Sequence, residues 1–156
     1  MNRRRRMMLG GKKPLWIYKS GDTKFQNCTY SLISGCDFID WPPFSDGKDT
    51  TVTDCVRKRY VSDSELSPST ASYFQLHVTN GFKGYKKLFV EARVSAVFGG
   101  SALQYVGINF ISETRQSLTT TRALYEIDLE NYQNEKTITF LEYEGYYLYI
   151  YNIWLE

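Results

Sequence analysis

His77 is the only histidine in the chain, so Ser-His-Asp or Cys-His chemistry would have to run through it. It falls in the alternating stretch Ser72–Thr79, on the polar side with Tyr73 and Gln75. Neither a GxSxG elbow nor a flanking cysteine signature accompanies it, and it reads as a surface histidine. The chain also lacks HExxH, a P-loop and GxGxxG. Acids are plentiful, and a glycoside hydrolase needs only two of them. Glu91, Glu126, Asp128 and Glu142 are therefore candidates, but spacing along the chain does not pair carboxylates across packed layers. Asp46-Gly47-Lys48-Asp49, with Asp54 beyond, offers the oxygen ligands that calcium takes from loops. The EF-hand spacing is missing and Lys48 stands among the acids, so a solvated turn is expected. Cys28, Cys36 and Cys55 are odd in number and have no CxxC spacing, which reads as free thiols. No catalytic residue, metal site or cofactor is assigned.

The aromatic residues carry the stronger signal. They make up 16% of the chain, high for a soluble protein, and thirteen of them are tyrosines, which suits a β-rich fold with polar-tipped rings on its surface or an interface. Trp41, Phe44, Tyr60 and Tyr73 fall on expected loops or on the polar side of expected strands. Tyr147, Tyr149 and Tyr151 form a stripe two residues apart. Exposed rings of this kind stack on sugar faces or anchor protein partners. The competing readings are rings that close the ends of the core, and a tyrosine stripe packed with its hydroxyls satisfied at the rim.

The elements that must position these rings are strands. Gly145–Glu156 is an aromatic and β-branched run without proline. Strict alternation puts Tyr147, Tyr149, Tyr151, Ile153 and Leu155 on one side and Tyr146, Leu148, Ile150, Asn152, Trp154 and Glu156 on the other. Both sides are largely apolar, which predicts a central strand with neighbours on each edge and cover on each face. Tyr85–Phe98 sets Leu88, Val90, Ala92, Val94 and Ala96 against Phe89, Glu91, Arg93 and Ser95, one face on the core and one in water. Thr119–Leu129 sets Ala123, Tyr125, Ile127 and Leu129 against Arg122, Leu124, Glu126 and Asp128. Ser72–Thr79, Leu103–Ser112 and Lys136–Glu142 read as further strands, with a turn at Asn80-Gly81. Leu15–Tyr18, Tyr30–Ile33, Thr50–Thr53 and Arg59–Val61 read as shorter or edge-like strands. Pro42-Pro43 interrupts any ladder, and Ser62–Thr70 reads as loop. No window keeps apolar residues at helical spacing over three turns. The expected fold is all-β: an antiparallel β-sandwich of jelly-roll type.

Charge divides the chain unevenly. Arg3, Arg4, Arg5, Arg6, Lys12 and Lys13 are six of its nineteen basic residues; the remaining thirteen face seventeen acids. Residues 1–13 are expected to be a flexible or partner-ordered basic arm, and residues 14–156 a single domain. Four arginines without an aromatic, ahead of a domain that is not basic, argue against nucleic acid as the partner. No stretch has the length and apolarity of a membrane span, and Met7-Met8-Leu9 is too short for a signal-peptide core.

The opening Arg3–Lys13 leader, followed by Leu15-Trp16-Ile17-Tyr18 and Gly21-Asp22, resembles the N-termini of small tail-associated proteins of phages and prophages of gut Firmicutes-type bacteria. The closing Tyr149-Ile150-Tyr151-Asn152-Ile153-Trp154-Leu155-Glu156 is similar to their last strand. The resemblance implies a virion tail component with a jelly-roll domain like those of carbohydrate-binding modules, assembled in the host cytoplasm. On this reading the chain is a non-enzymatic structural or adhesion module. Its expected partners are other tail subunits, a second copy of itself and a cell-surface carbohydrate. The alternative is a small glycan hydrolase or lyase on the same scaffold.

Overall fold

A computed structural model describes residues 12–17, 25–32, 37–44, 46–60, 71–97, 104–143 and 146–156. The described residues form eleven strands: β1 Lys13–Ile17, β2 Cys28–Leu32, β3 Asp37–Asp40, β4 Val56–Tyr60, β5 Ala71–Val78, β6 Lys87–Val94, β7 Tyr105–Ile108, β8 Gln116–Ser117, β9 Ala123–Asp128, β10 Thr137–Tyr143 and β11 Leu148–Leu155. One short 3-10 turn, Ser112–Thr114, follows β7. The first sheet runs β3-β4-β11-β6-β9, with β1 following β4 along the same edge of β11; the second runs β2-β5-β10-β7-β8. All pairs are antiparallel. The two sheets pack as a jelly-roll sandwich, as the alternation predicts.

The core lies where the aliphatic sides of the two sheets meet. Leu88, Val90, Ala92, Val94, Leu148, Ile150, Ile153 and Leu155 from the first sheet face Phe74, Leu76, Val106, Ile108, Ile138 and Phe140 from the second. The Asn80-Gly81 turn joins β5 to the segment before β6, with φ of +66° at both residues. A Cβ on Gly81 would meet the Glu135 carbonyl at 3.0 Å, so glycine is needed there for space as well as for its backbone angle.

β11 is central, paired on one edge with β1 and β4 and on the other with β6. Its side-chain pattern differs from strict alternation. Ile150 pairs with Ala92 but Asn152 pairs with Glu91, so Tyr151 is an extra residue and a β-bulge. The inward set is Leu148, Ile150, Ile153 and Leu155; Tyr147, Tyr149, Tyr151, Asn152 and Trp154 stay outside. Both faces of the expected strand were apolar because the reading carried one parity through the bulge. With the bulge, aliphatic and aromatic residues separate.

Two other expectations change. Thr50–Thr53 is not a strand: Asp49 has φ +55° and its carbonyl accepts from Val52 N at 2.9 Å, closing a turn there. Lys13, expected to end the flexible or partner-ordered arm, opens β1 instead, and its Nζ donates to the Thr79 carbonyl at 2.6 Å. Lys12 is likewise placed, with its Nζ 4.7 Å from the Trp154 ring centroid. Arg3–Arg6, Tyr18, Gly21-Asp22, Ile33, Cys36, Val61–Thr70 and Leu103 lie outside the described residues.

Candidate functional site

The outward face of the first sheet is where ring and charge meet. Register places its side chains in rows across the strands. Asp40, Arg57, Tyr149 and Arg93 form one row across β3, β4, β11 and β6. Beyond the bulge, Asn152, Glu91 and Leu124 form a second, and Trp154, Phe89 and Glu126 a third. This is the water-facing half of the alternation in β6 and β9, so elementary pleating fixes which residues stand here.

The half of the face around Tyr147–Tyr151 is closed by its own charges. The Arg57 guanidinium lies 4.2 Å from the Phe44 ring centroid and 4.7 Å from that of Tyr147. Arg93 lies 3.9 Å from Tyr149, and Arg122 lies 3.9 Å from Tyr151. Such contacts strengthen when water is excluded. A strap, residues 46–54, crosses above them and presents three carboxylates. Arg57 donates to Asp46 at 2.7 Å and to Asp49 at 3.0 Å, and to Asp40 on β3 at 3.1 Å. Asp40 also pairs with Arg59. Arg122 donates to Asp54 at 2.8 Å and to Glu91 at 2.7 Å. The Tyr149 hydroxyl donates to Asp49 at 2.6 Å, and the Tyr151 hydroxyl accepts from Arg93 Nε at 2.8 Å. The result is that Tyr149 is only 3% exposed and Tyr151 4%. Burial, then the bond to Asp49, raises the Tyr149 hydroxyl above its ordinary pKa. Burial opposes the charge of Arg57, but its three aspartates outweigh that and raise its pKa.

The other half lies outside these strap contacts; its rings, Phe89 and Trp154, are half-buried, and Lys12 Nζ lies 4.7 Å from the Trp154 ring centroid. Phe89 and Trp154 stack with centroids 5.0 Å apart and an 11° angle between planes. Asn152 donates to Glu91 at 2.7 Å beside them, and Lys87 pairs with Glu126 at 3.1 Å. A cleft of about 390 Å³ continues past this end, lined by Lys87, Glu113, Gln116, Glu126, Asp128 and Tyr132 among others. The site is thus a pair of rings edged by hydrogen-bonding side chains, next to a charged tyrosine cradle that is covered.

The residues singled out in the sequence do not form one site. Tyr147, Tyr149, Tyr151 and Phe44 do meet on this face, with Phe44 and Cys55 packed against the latter two tyrosines. Trp41 packs into the edge of the core, 6.2 Å from Trp16 and 5.4 Å from Phe25. Tyr73 stands on the second sheet, edge-on to Phe110 at 5.4 Å. Tyr60 ends β4, and its side chain lies outside the described residues. The residues the sequence reading passed over are Phe89, Trp154, Asn152, Arg57, Arg93 and Arg122. Phe89 and Arg93 were legible as the outward side of β6, and Trp154 was hidden by the bulge.

The candidate catalytic groups are dispersed. Glu142 lies between the sheets against Lys58, whereas Glu91, Glu126 and Asp128 face outward with Arg122 and Lys87 as partners. His77 sits on the second sheet between hydroxyls, Ser31 Oγ at 2.8 Å and Thr137 Oγ1 at 3.3 Å. The second of these, on Nδ1, is thus a hydroxyl where a triad has a carboxylate. Burial pushes the Cys55 and Cys28 thiols up to about 12, which keeps them protonated and unreactive. Among the described residues no group of three or more histidines, cysteines and acids could hold a metal, and the three strap aspartates are spent on arginines and a tyrosine.

Two carboxylates on this face set a pH response. Burial alone would raise Asp46, but hydrogen bonds from Arg57 and the Lys48 N–H hold it below its ordinary range. The Arg122 hydrogen bond, against burial and helped by Asn152, does the same for Glu91. Folded values below unfolded ones mean that their stabilisation is complete above the unfolded values, about 3.9 and 4.3. It is lost as pH falls through the depressed folded values. The thermal midpoint is therefore expected to drop steeply below about pH 4, with a shallower drop in Asp46→Asn. Equal midpoints at pH 3 and pH 6 would contradict this.

No protein-family model matches the chain, and no curated protein matches it by sequence. Solved structures do match its fold. A family 29 carbohydrate-binding module, in an aspartate-to-alanine variant complexed with mannohexaose, superposes with a TM-score of 0.59 at 7% identity, over 93% of this chain and 90% of that one. A tyrosine-to-alanine variant gives 0.56 at 11% identity, over 93% and 91%. A lysine-to-alanine variant complexed with cellulohexaose gives 0.55 at 9% identity, over 93% and 89%. At these identities the likeness establishes the jelly-roll fold.

Proposed function

We propose that the chain is a non-catalytic glycan-binding module, and that it serves as an adhesion subunit of a phage-like tail. The binding surface is the outward face of the first sheet at its Phe89–Trp154 end. A sugar ring has an apolar C–H face and an edge of hydroxyls. Phe89 and Trp154 supply apolar contact to the first, while Glu91, Asn152 and Lys87 are placed to bond the second. The observation that carries this reading is the half-exposed, stacked Phe89–Trp154 pair on the outward sheet face, in a fold shared with modules complexed with mannohexaose and cellulohexaose.

The test is electrophoresis of the full chain through gels containing soluble β-mannan, a soluble cellulose derivative or bacterial wall polysaccharide. Retardation by at least one is expected; unretarded migration in all three would remove the binding role. Support for the tail assignment comes from the Arg3–Lys13 leader and the closing strand, which resemble tail-associated proteins. Sedimentation should give a trimer or hexamer. A monomer would count against the tail assignment and leave glycan binding standing.

A further inference from the structure

We propose that the Arg57–Tyr149–Arg93 row is a subsite for an anionic sugar, and that the 46–54 strap occupies it with its own aspartates until such a ligand displaces them. This rests on the glycan-binding reading and adds to it a ligand class and a gate.

The strap is attached by side chains. Among the described residues its backbone bonds are local: Gly47 N to the Phe44 carbonyl at 3.4 Å and Val52 N to the Asp49 carbonyl at 2.9 Å. It is held to the sheet by Asp46 and Asp49 on Arg57, Asp49 on the Tyr149 hydroxyl and Asp54 on Arg122, with weaker contacts of Asp46 and Lys48 to the Tyr147 hydroxyl at 3.4 Å and of Val52 to the Phe44, Cys55, Tyr149 and Tyr151 cluster. A carboxylate accepting from a guanidinium and a phenol is the geometry in which a uronate or a phosphate diester would be held. The strap aspartates thus stand where a ligand's anionic groups would stand.

The cradle holds more positive charge than the strap uses. Arg93 is half-buried, and none of its contacts among the described residues is a carboxylate: its Nε donates to the Tyr151 hydroxyl, and its plane covers Tyr149. A half-buried guanidinium without an acid can still gain a charge-assisted bond from one. Arg57 is fully buried, and its Nε has no acceptor among the described residues. Arg57 keeps Asp40, a residue of β3, when the strap leaves, so lifting the strap does not strand it. A ligand carrying several anions would match Arg93 as well as replace the strap aspartates. It would also gain the Tyr149 and Tyr151 rings, which the closed strap hides.

The test uses the full chain and its Asp46→Asn/Asp49→Asn variant. The probes are polygalacturonate, a glycerol-phosphate teichoic acid and neutral β-mannan, measured by calorimetry. Affinity for one of the anionic polymers should rise at least tenfold in the variant, with β-mannan unchanged; which polymer gains separates uronate from phosphate. Adding Arg93→Gln should abolish the gain. No gain, an equal gain for β-mannan, or a gain that survives Arg93→Gln overturns the gate. If the wild type binds β-mannan while the gain is absent, only the gate falls; if nothing binds any polymer, the module reading falls with it. Limited trypsinolysis of the wild type covers the case of a variant that fails to fold. The anionic polymer should speed cleavage after Lys48 several-fold and β-mannan should not, and equal rates overturn the gate.

Discussion

Lys58→Met is expected to lower the stability of the domain by about 3–5 kcal/mol, read from the urea midpoint. β4 runs Val56-Arg57-Lys58-Arg59, so pleating turns Arg57 and Arg59 outward and sends Lys58 into the sandwich. Its Nζ donates to Glu142 Oε1 on β10 at 2.7 Å and to Ser72 Oγ on β5 at 2.6 Å. The side chains of Lys58 and Glu142 are 0% and 1% exposed, so the pair bridges the two sheets out of water. Removing the lysine alone leaves a buried carboxylate without this cation, which costs far more than a surface pair would. The double variant Lys58→Met/Glu142→Leu should recover most of the loss, because it removes both desolvation penalties together. A single variant within about 1 kcal/mol of wild type, the size of a surface pair, would show that the pair is not buried in solution.

Trp154→Ala is expected to weaken polysaccharide binding about 30-fold, the equivalent of about 2 kcal/mol for a central aromatic contact. The indole lies outside the core, stacked on Phe89 and hydrogen-bonded through Nε1 to Glu156 at 2.7 Å, so its loss should leave the fold intact. Tyr73→Ala is the control. Tyr73 is equally aromatic and was equally suggestive in the sequence, but it stands on the opposite sheet beside Phe110. Its replacement should change affinity less than twofold. Equal losses from both variants would refute the assignment of the first sheet's outward face.

Much of the architecture was legible because pleating is local. In β6 and β9 the residues that alternate in sequence alternate in space, so the inward aliphatic side and the outward Phe89-Glu91-Arg93 side follow from the chain itself. β11 shows where this fails. Its aliphatic residues run 148, 150, 153 and 155, and that broken spacing was the trace of the bulge at Tyr151. Reading one parity through it buried Trp154 on paper and left that end of the face unseen.

The tyrosine stripe shows a second limit. Its three rings do share one face, as their spacing implies, yet Arg93 and Arg122 lie over Tyr149 and Tyr151 from strands and turns dozens of residues away. No local pattern announces that, because the partners come together only when β4, β6 and β11 become neighbours. The same holds for Lys58 and Glu142, 84 positions apart. By itself the sequence determined which residues turn toward the core and which toward water, since a strand's two faces are set by a repeat of two residues. The folded chain alone decided which rings stay half-exposed and which are covered, because that depends on strand order and on contacts between residues far apart in sequence.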